Sequence, residues 1–201
     1  TALRRQRQMC IRDSSERRVQ SKKRKSFFRT SFVGYTNVGK SSLMKSVTKS
    51  DVLIRNQLFA TLDTTVRRLF IGDNNYVLLS DTVGFIRNLP DNLIASFKST
   101  LQEVVDSNLL LIVLDANSQD LFNEIETIKS VLKEINANEI DYKYVFNKID
   151  LVDPEKISYL KQSFPDSLMV SATRSLQISD IKNTIAEKYE EWVSALKNPS
   201  H

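Results

Sequence analysis

The chain has 201 residues, of which 41% are hydrophobic and 26% are charged, which suits one globular domain and excludes a disordered chain. Its single cysteine, Cys10, excludes an intrachain disulfide framework and a zinc site built on cysteines. Its single histidine is the last residue, His201, which argues against histidine acid–base or metal chemistry in the core.

Positive charge is concentrated at the N-terminal end of the chain. Residues 1–30 contain eleven Lys and Arg and two acidic residues, a net charge of +9, whereas residues 31–201 have a net charge of −4. The basic segment has no apolar core long enough for a signal peptide, and the longest aliphatic run, 109–114, is too short to cross a bilayer. We therefore predict a cytoplasmic protein without membrane contact, with a basic arm (1–26), one domain (27–197) and a short tail (198–201).

From residue 27 onward, apolar runs of strand length alternate with segments whose apolar residues recur at helical spacing. The strand-length runs are 27–33, 76–79, 109–114, 142–146 and 168–170. The helical faces consist of Leu93, Ile94, Phe97, Leu101 and Val104, then Leu121, Ile125, Ile128, Leu132 and Ile135, and finally Ile178, Ile181, Ile185, Tyr189 and Trp192. This alternation predicts a three-layer α/β fold.

Two local patterns add to this outline. The polar stretch Gly72-Asp73-Asn74-Asn75 lies between two short apolar runs and predicts a hairpin turn. Asp153 followed by Pro154 predicts the start of a further helix, with the aspartate as its cap.

The segment GYTNVGKS (34–41) fits the pattern G-x-x-x-x-G-K-[ST] between a predicted strand and a predicted helix. In that context the glycines let backbone N–H groups face phosphates, Lys40 reaches the β- and γ-phosphates, and the Ser41 hydroxyl binds Mg²⁺. The alternative is a plain strand-to-helix turn. The predicted phosphate-binding residues are Gly34, Asn37, Val38, Gly39, Lys40, Ser41 and Ser42.

The segment DTVG (81–84) follows the predicted strand 76–79. In phosphate-loop proteins an aspartate at this place holds the metal shell, usually against the loop's Ser or Thr. Gly84 would let its own N–H approach the γ-phosphate. The alternative is an acidic turn. The position of the pattern, 41 residues after Lys40 and behind a strand, predicts a metal site.

The segment NKID (147–150) follows the predicted strand 142–146 and resembles the guanine-reading motif of GTPases. A carboxylate at Asp150 can accept hydrogen bonds from the guanine ring N–H and exocyclic amine, which adenine does not present as donors. The alternative is a charged exit from a strand. Asn147 and Lys148 complete the motif, and Ser171 and Ala172 match the small loop that supports the base in such domains.

These four motifs occur in the required order, so the domain resembles a Ras-like, translation-factor-type GTPase over residues 31–195. The resemblance implies a three-layer fold with a mostly parallel six-stranded sheet that contains one antiparallel strand. It also implies GTP or GDP as ligand, with Mg²⁺. A phosphate-loop kinase is disfavoured by the NKID segment.

The segments QLFATLDTT (57–65) and DTVGFIRNLP (81–90) resemble the switch regions of the HflX family, which are ribosome-associated GTPases of bacteria and organelles. The resemblance implies that Thr65 closes over Mg²⁺ and the γ-phosphate. Ser41, Thr65 and Asp81 are then the metal ligands, and Lys40, Thr65 and Gly84 the catalytic residues. The departures from the family pattern are Val38 and Ser42, in place of Ala and Thr, and Thr64, in place of Pro.

Phe85 stands where Ras-type enzymes have a glutamine that orients the attacking water. Phenylalanine can neither donate a hydrogen bond nor transfer a proton, so we predict slow intrinsic hydrolysis that a partner stimulates. Asn37 has two interpretations. It either stabilises the loop or, as in related GTPases, binds a K⁺ that replaces an arginine finger.

The basic arm is either solvated surface or an RNA contact. The HflX resemblance implies ribosomal RNA of the large subunit, because family members have an Arg-rich segment before the GTPase domain and a further domain before that. We expect a monomer that acts on the ribosome. The alternative function is an RNA-binding assembly factor, gated by GTP, whose hydrolysis is incidental.

Overall fold

The computed structural model describes residues 27–48, 65–82, 84 and 101–197. The predicted arm and tail, most of both predicted switch segments, Phe85, and the helical residues Leu93, Ile94 and Phe97 lie outside these ranges.

The described residues form one six-stranded sheet with helices between its strands. The strands are β1 (Arg29–Val33), β2 (Thr65–Gly72), β3 (Asn75–Asp81), β4 (Leu109–Asp115), β5 (Asp141–Asn147) and β6 (Leu168–Met169). The helices are α1 (Lys40–Thr48), α2 (Leu121–Glu134), α3 (Pro154–Ser163) and α4 (Ile178–Lys197), to which a helical segment at 101–105 and a 3₁₀ turn at Ile149–Leu151 are added.

The strand order is β2-β3-β1-β4-β5-β6, and β2 alone runs antiparallel to its neighbour among the described strands. This confirms the predicted fold, a mostly parallel six-stranded sheet with one antiparallel strand. The carboxyl ends of the five parallel strands therefore meet at one edge of the sheet, which is where ligands bind in open α/β sheets.

The middle of the sheet is the most apolar part of the core. β4 lies between β1 and β5, and its side chains from Leu109 to Leu114 are at most 1% exposed. A parallel strand covered on both faces needs such a continuous apolar run. Helix α2 buries its predicted face against this core, while α4 fully buries only Ile181 and Ile185.

The predicted boundaries differ from the structure by one or two residues. β1 begins at Arg29 rather than at residue 27. Phe28 is apolar because its ring packs against Tyr189 and Trp192 of α4 and not because it belongs to the strand. β6 ends at Met169, although the Val170 N–H still donates to the Phe146 carbonyl at 2.9 Å.

Both local patterns are confirmed. Asp73 and Asn74 have φ values of +49° and +59°, as a two-residue hairpin turn requires, and they join β2 to β3. The Asp153 carboxylate accepts a hydrogen bond from the Lys156 N–H at 2.7 Å at the start of α3. Within the described part of the chain, no helix is both long and apolar enough to cross a bilayer.

Candidate nucleotide-binding site

The four predicted motifs lie together at the carboxyl edge of the sheet. GYTNVGKS connects β1 to α1, Asp81 ends β3, NKID follows from the last residue of β5, and Ser171 comes two residues after β6. The strands β3, β1, β4, β5 and β6 follow one another in the sheet and are parallel. The segments that come after them therefore meet at its carboxyl edge.

The loop between β1 and α1 depends on its glycines for close packing. A Cβ on Gly34 would overlap the Val113 carbonyl oxygen, and a Cβ on Gly39 would overlap the Asn147 side-chain nitrogen. Gly39 also has a φ of +96°, and Asn37 has a φ of +64°. Asn tolerates this left-handed backbone better than most residues, which favours the loop-stabilising interpretation of Asn37.

We expect Gly39→Ala to destabilise the fold more than Gly72→Ala does. Gly72 has a comparable φ of +110°, but nothing lies within 4 Å of a Cβ built there. Each substitution costs about 1–2 kcal/mol of unfolding free energy for the positive φ. Gly39→Ala additionally displaces the Asn147 amide from its buried hydrogen bond, a further cost of about 1–3 kcal/mol. Urea denaturation of both variants measures the difference, and equal losses would contradict this packing argument.

Lys40 is buried at the base of this loop, and its ammonium group donates to the Gly34 carbonyl at 3.0 Å and to the Tyr35 carbonyl at 2.8 Å. Burial lowers the Lys40 pKa to about 8, while the negative charge of Asp81 acts in the opposite direction. Gly84 lies against the same group, since a Cβ on Gly84 would come within 2.8 Å of the Lys40 Nζ and of the Thr36 backbone. The predicted ammonium and amide donors are therefore adjacent.

The predicted metal ligands Ser41 and Asp81 are in direct contact. The Ser41 hydroxyl donates to Asp81 Oδ2 at 2.6 Å, at the junction of α1 and β3. Thr65 is the first residue of β2 and is the register partner of Asp81. Hydroxyl and carboxylate oxygens are hard ligands of the kind that Mg²⁺ prefers, usually one or two from the protein together with substrate phosphates. This donor set fits a magnesium ion.

Asn147 links three of the four motifs. Its side-chain N–H₂ donates to the Val38 carbonyl at 2.8 Å, and its Oδ1 accepts from the Ala172 N–H at 3.0 Å. The Ser46 hydroxyl of α1 adds a bond to the Ala172 carbonyl at 3.2 Å. Since Asn147 is 2% exposed, these bonds are shielded from water. The asparagine thus holds the phosphate loop against the loop after β6.

Lys148 turns the chain away from the sheet. Its φ of +65° is left-handed, and its ammonium group pairs with Asp115 Oδ2 at 2.7 Å. The 3₁₀ turn that follows leaves Asp150 exposed, where its carboxylate can accept hydrogen bonds from a ligand. Sequence reasoning missed Asp115, although an acidic residue at the end of the most apolar strand was a usable signal.

The loop after β6 is closed by its own hydrogen bonds, since the Ser171 and Leu176 backbones bond to each other. Ser171 and Ala172 are both buried, and Ser171 Oγ accepts a hydrogen bond from the Arg174 N–H at 3.1 Å. Of the other predicted residues, Val38 is buried in the phosphate loop and Ser42 is half-buried in the first turn of α1. All predicted site residues are within the described ranges, and they lie at or just after the ends of β1, β3, β5 and β6 and at the start of β2.

Comparison with known proteins agrees with this arrangement. Residues 29–148 match the family model described as 50S ribosome-binding GTPase. The chain is similar to GTPase HflX of Gluconacetobacter diazotrophicus, with 43% identity over 179 residues, which cover 89% of this chain and 39% of that protein. It is 42% identical to GTPase HflX of Escherichia coli over 79% of this chain and 38% of that protein. The chain therefore spans well under half the length of these relatives.

Solved structures support the fold. Era of Aquifex aeolicus bound to GDP and AlF₄⁻ has a TM-score of 0.66 at 20% identity, over 80% of this chain and 56% of that one. A GTP-binding protein of Sulfolobus solfataricus in complex with GDP has a TM-score of 0.65 at 24% identity, over 90% of this chain and 62% of that one. At these identities the similarity concerns the fold.

Proposed function

Because this chain belongs to the HflX family of GTPases, we propose that it binds GTP and hydrolyses it to GDP and phosphate. The observation that carries the proposal is the pair of Asn147 hydrogen bonds, which joins the phosphate loop to the loop after β6. A phosphate site and a base site joined in this way fit one nucleotide.

One group of residues would bind the phosphates of the nucleotide, and another would bind its base. The backbone N–H groups of the phosphate loop and the Lys40 ammonium group would bind the phosphates, with the Gly84 N–H directed to the γ-phosphate. Asp150 would select guanine. Ser41, Asp81 and Thr65 would hold Mg²⁺, which supplies neutralising charge at the β- and γ-phosphate oxygens when bound.

We further propose that the protein acts in the cytoplasm, as a monomer, on the large ribosomal subunit. The net charge of +9 in residues 1–30 supports a contact with ribosomal RNA through the arm. Phe85 supports slow hydrolysis in isolation, because its ring cannot position the attacking water. Contact with the large ribosomal subunit would order the catalytic groups, a role that Phe85 cannot fill.

We expect GTP hydrolysis by the isolated chain to be slow and to rise at least about tenfold with large ribosomal subunits, since supplying a missing catalytic group is worth far more in related systems. Phosphate release is measured with large subunits, with small subunits and with free ribosomal RNA. Lys40→Ala, which removes the phosphate-binding ammonium group, should abolish the stimulated rate. Turnover by the isolated chain as fast as the stimulated rate would contradict the proposal.

The same assay addresses the two open alternatives. If free ribosomal RNA binds the arm tightly but assembled subunits do not stimulate turnover, the assembly-factor function is favoured. A loop-stabilising Asn37 predicts equal rates in KCl and NaCl, whereas a potassium ligand predicts faster hydrolysis in KCl.

A further inference from the structure

The edge strand β2 presents an unusual combination of exposed side chains. Arg67 and Arg68 are both exposed, and neither forms an ion pair with any residue in the described ranges. Phe70 is 62% exposed and Val66 is 42% exposed. Among the described strands, β2 pairs only with β3, so it is an edge strand of the described sheet. Because side chains alternate along a strand, Arg68 and Phe70 lie on one face of β2 and Arg67 lies on the other. We call Arg68 and Phe70 the β2 surface.

Aromatic rings hold part of this surface in place. The Arg68 guanidinium lies 4.9 Å from the centroid of the Tyr76 ring, and the Phe27 ring stacks on Tyr76 at a centroid distance of 5.5 Å. A guanidinium over an aromatic ring keeps its N–H donors free to bind phosphate. Arg68 is therefore preorganised without being neutralised.

The β2 surface lies where the basic arm joins the domain. Phe27 is the first described residue, and Lys25, the last cation of the arm, is only two residues before it. Successive Cα atoms are ~3.8 Å apart, so the Cα of Lys25 is within about 8 Å of the Cα of Phe27. The arm is therefore bonded directly to the residue whose ring stacks on Tyr76.

Residue spacing along the strand suits a strand of nucleic acid. Arg68 and Phe70 are two residues apart and so lie on the same face, roughly 7 Å apart. Guanidinium groups bind phosphates, and exposed aromatic rings stack on unpaired bases. A purely acidic peptide could pair with Arg68, but it would leave the Phe70 ring without a matching group.

We propose that the β2 surface binds single-stranded RNA, with Arg68 on a phosphate and Phe70 stacked on a base. This proposal rests on the proposed ribosomal function and adds a second RNA contact to the arm. The surface is separate from the nucleotide site, because β2 meets Asp81 at Thr65 and then runs toward the hairpin, where Phe70 pairs with Tyr76.

The test uses the full chain and a fluorescently labelled 12-nucleotide oligouridine, with anisotropy measured across a salt series. The variant Arg68→Ala should bind about fivefold more weakly at 0.1 M salt. The slope of log affinity against log salt should fall by about 0.7, which is the contribution of one phosphate contact on a single strand. Phe70→Ala should weaken binding at least about fivefold with an unchanged slope, because stacking releases no counterion.

Matched controls remove similar groups elsewhere. Lys133→Ala deletes one exposed cation from α2, and Tyr159→Ala deletes an aromatic side chain that is 49% exposed on α3. These controls should change the affinity by less than about twofold. If they weaken RNA binding as much as the β2 variants do, or if the β2 variants bind like the parent chain, the proposal is wrong.

GTP affinity and subunit-stimulated hydrolysis are measured on the same variants, so that the two proposals can fail separately. Stimulation that persists while RNA affinity is unchanged overturns the β2 surface and leaves the proposed function standing. Dependence of RNA binding on the β2 residues without any stimulation in the parent chain supports the surface and overturns the ribosomal function. Stimulation that is lost with unchanged RNA affinity assigns the surface to a protein partner and overturns the RNA proposal.

Discussion

Asp150→Asn is expected to lower the affinity for GTP by about 10²–10⁴-fold. The carboxylate would accept two hydrogen bonds from the guanine ring, and a hydrogen bond to a charged group contributes about 1.5–3 kcal/mol. The side chain is exposed in the 3₁₀ turn, so its replacement removes ligand contacts rather than internal ones. The expected loss therefore appears in binding, with little change in the unfolding free energy.

The same substitution should create a new preference. An asparagine amide can donate to the C2 oxygen of xanthine, which has no amine at that position, so xanthosine nucleotides should bind the variant better than GTP. Fluorescent nucleotide titration measures both affinities. Asp153→Asn is the matched control, because it removes the same charge three residues away and asparagine caps a helix about as well as aspartate. Equal losses of GTP affinity in the two variants would mean that Asp150 acts through general charge only.

The site could be predicted largely because its motifs are local in sequence. The loop 34–41 has its glycines, lysine and serine within eight residues, and each has a chemical reason for its place. The fold was predictable because buried parallel strands such as β4 must be continuously apolar, which separates them from the amphipathic helices between them. Both inferences use patterns that are visible without three-dimensional contacts.

Local sequence patterns do not predict contacts between residues that are far apart in the chain. The bond from Asn147 to the Val38 carbonyl joins residues 109 positions apart, and the pair Lys148–Asp115 joins residues 33 apart. Nothing near either residue in the sequence indicates its partner. The strand β2 was implied only by its turn, because an edge strand with three consecutive exposed residues, from Val66 to Arg68, lacks the alternation that marks a half-buried strand.

Ser41→Ala should reduce GTP hydrolysis at saturating nucleotide by at least about 10²-fold. The substitution removes a predicted metal ligand and the 2.6 Å hydrogen bond to Asp81, a residue that is 1% exposed. Removing one preorganised group that stabilises developing charge costs about 10²–10³ in rate. Hydrolysis measured against Mg²⁺ concentration should also show a higher Mg²⁺ requirement.

Ser158→Ala is the control for this experiment. Its hydroxyl donates to the Pro154 carbonyl at 2.9 Å on the exposed side of α3, so the same atoms are removed from a helix away from the site. This variant should keep the parent rate and Mg²⁺ dependence. A Ser41→Ala chain with an unchanged Mg²⁺ requirement would show that the hydroxyl is not a metal ligand.

Thr65→Ala extends the test to the third predicted ligand. The register of β2 and β3 places the Cα atoms of Thr65 and Asp81 about 5 Å apart. The Thr65 hydroxyl can therefore reach a metal ion held by Ser41 and Asp81 while the residue stays in the strand. We expect Thr65→Ala to raise the Mg²⁺ requirement as Ser41→Ala does. A residue that is paired in a strand is held in position before the nucleotide binds. A ligand from a switch segment, in contrast, reaches the metal only when the nucleotide binds. Thr61, which lies outside the described residues, is therefore the comparison. If Thr61→Ala changes the Mg²⁺ dependence and Thr65→Ala does not, the assignment of Thr65 is wrong.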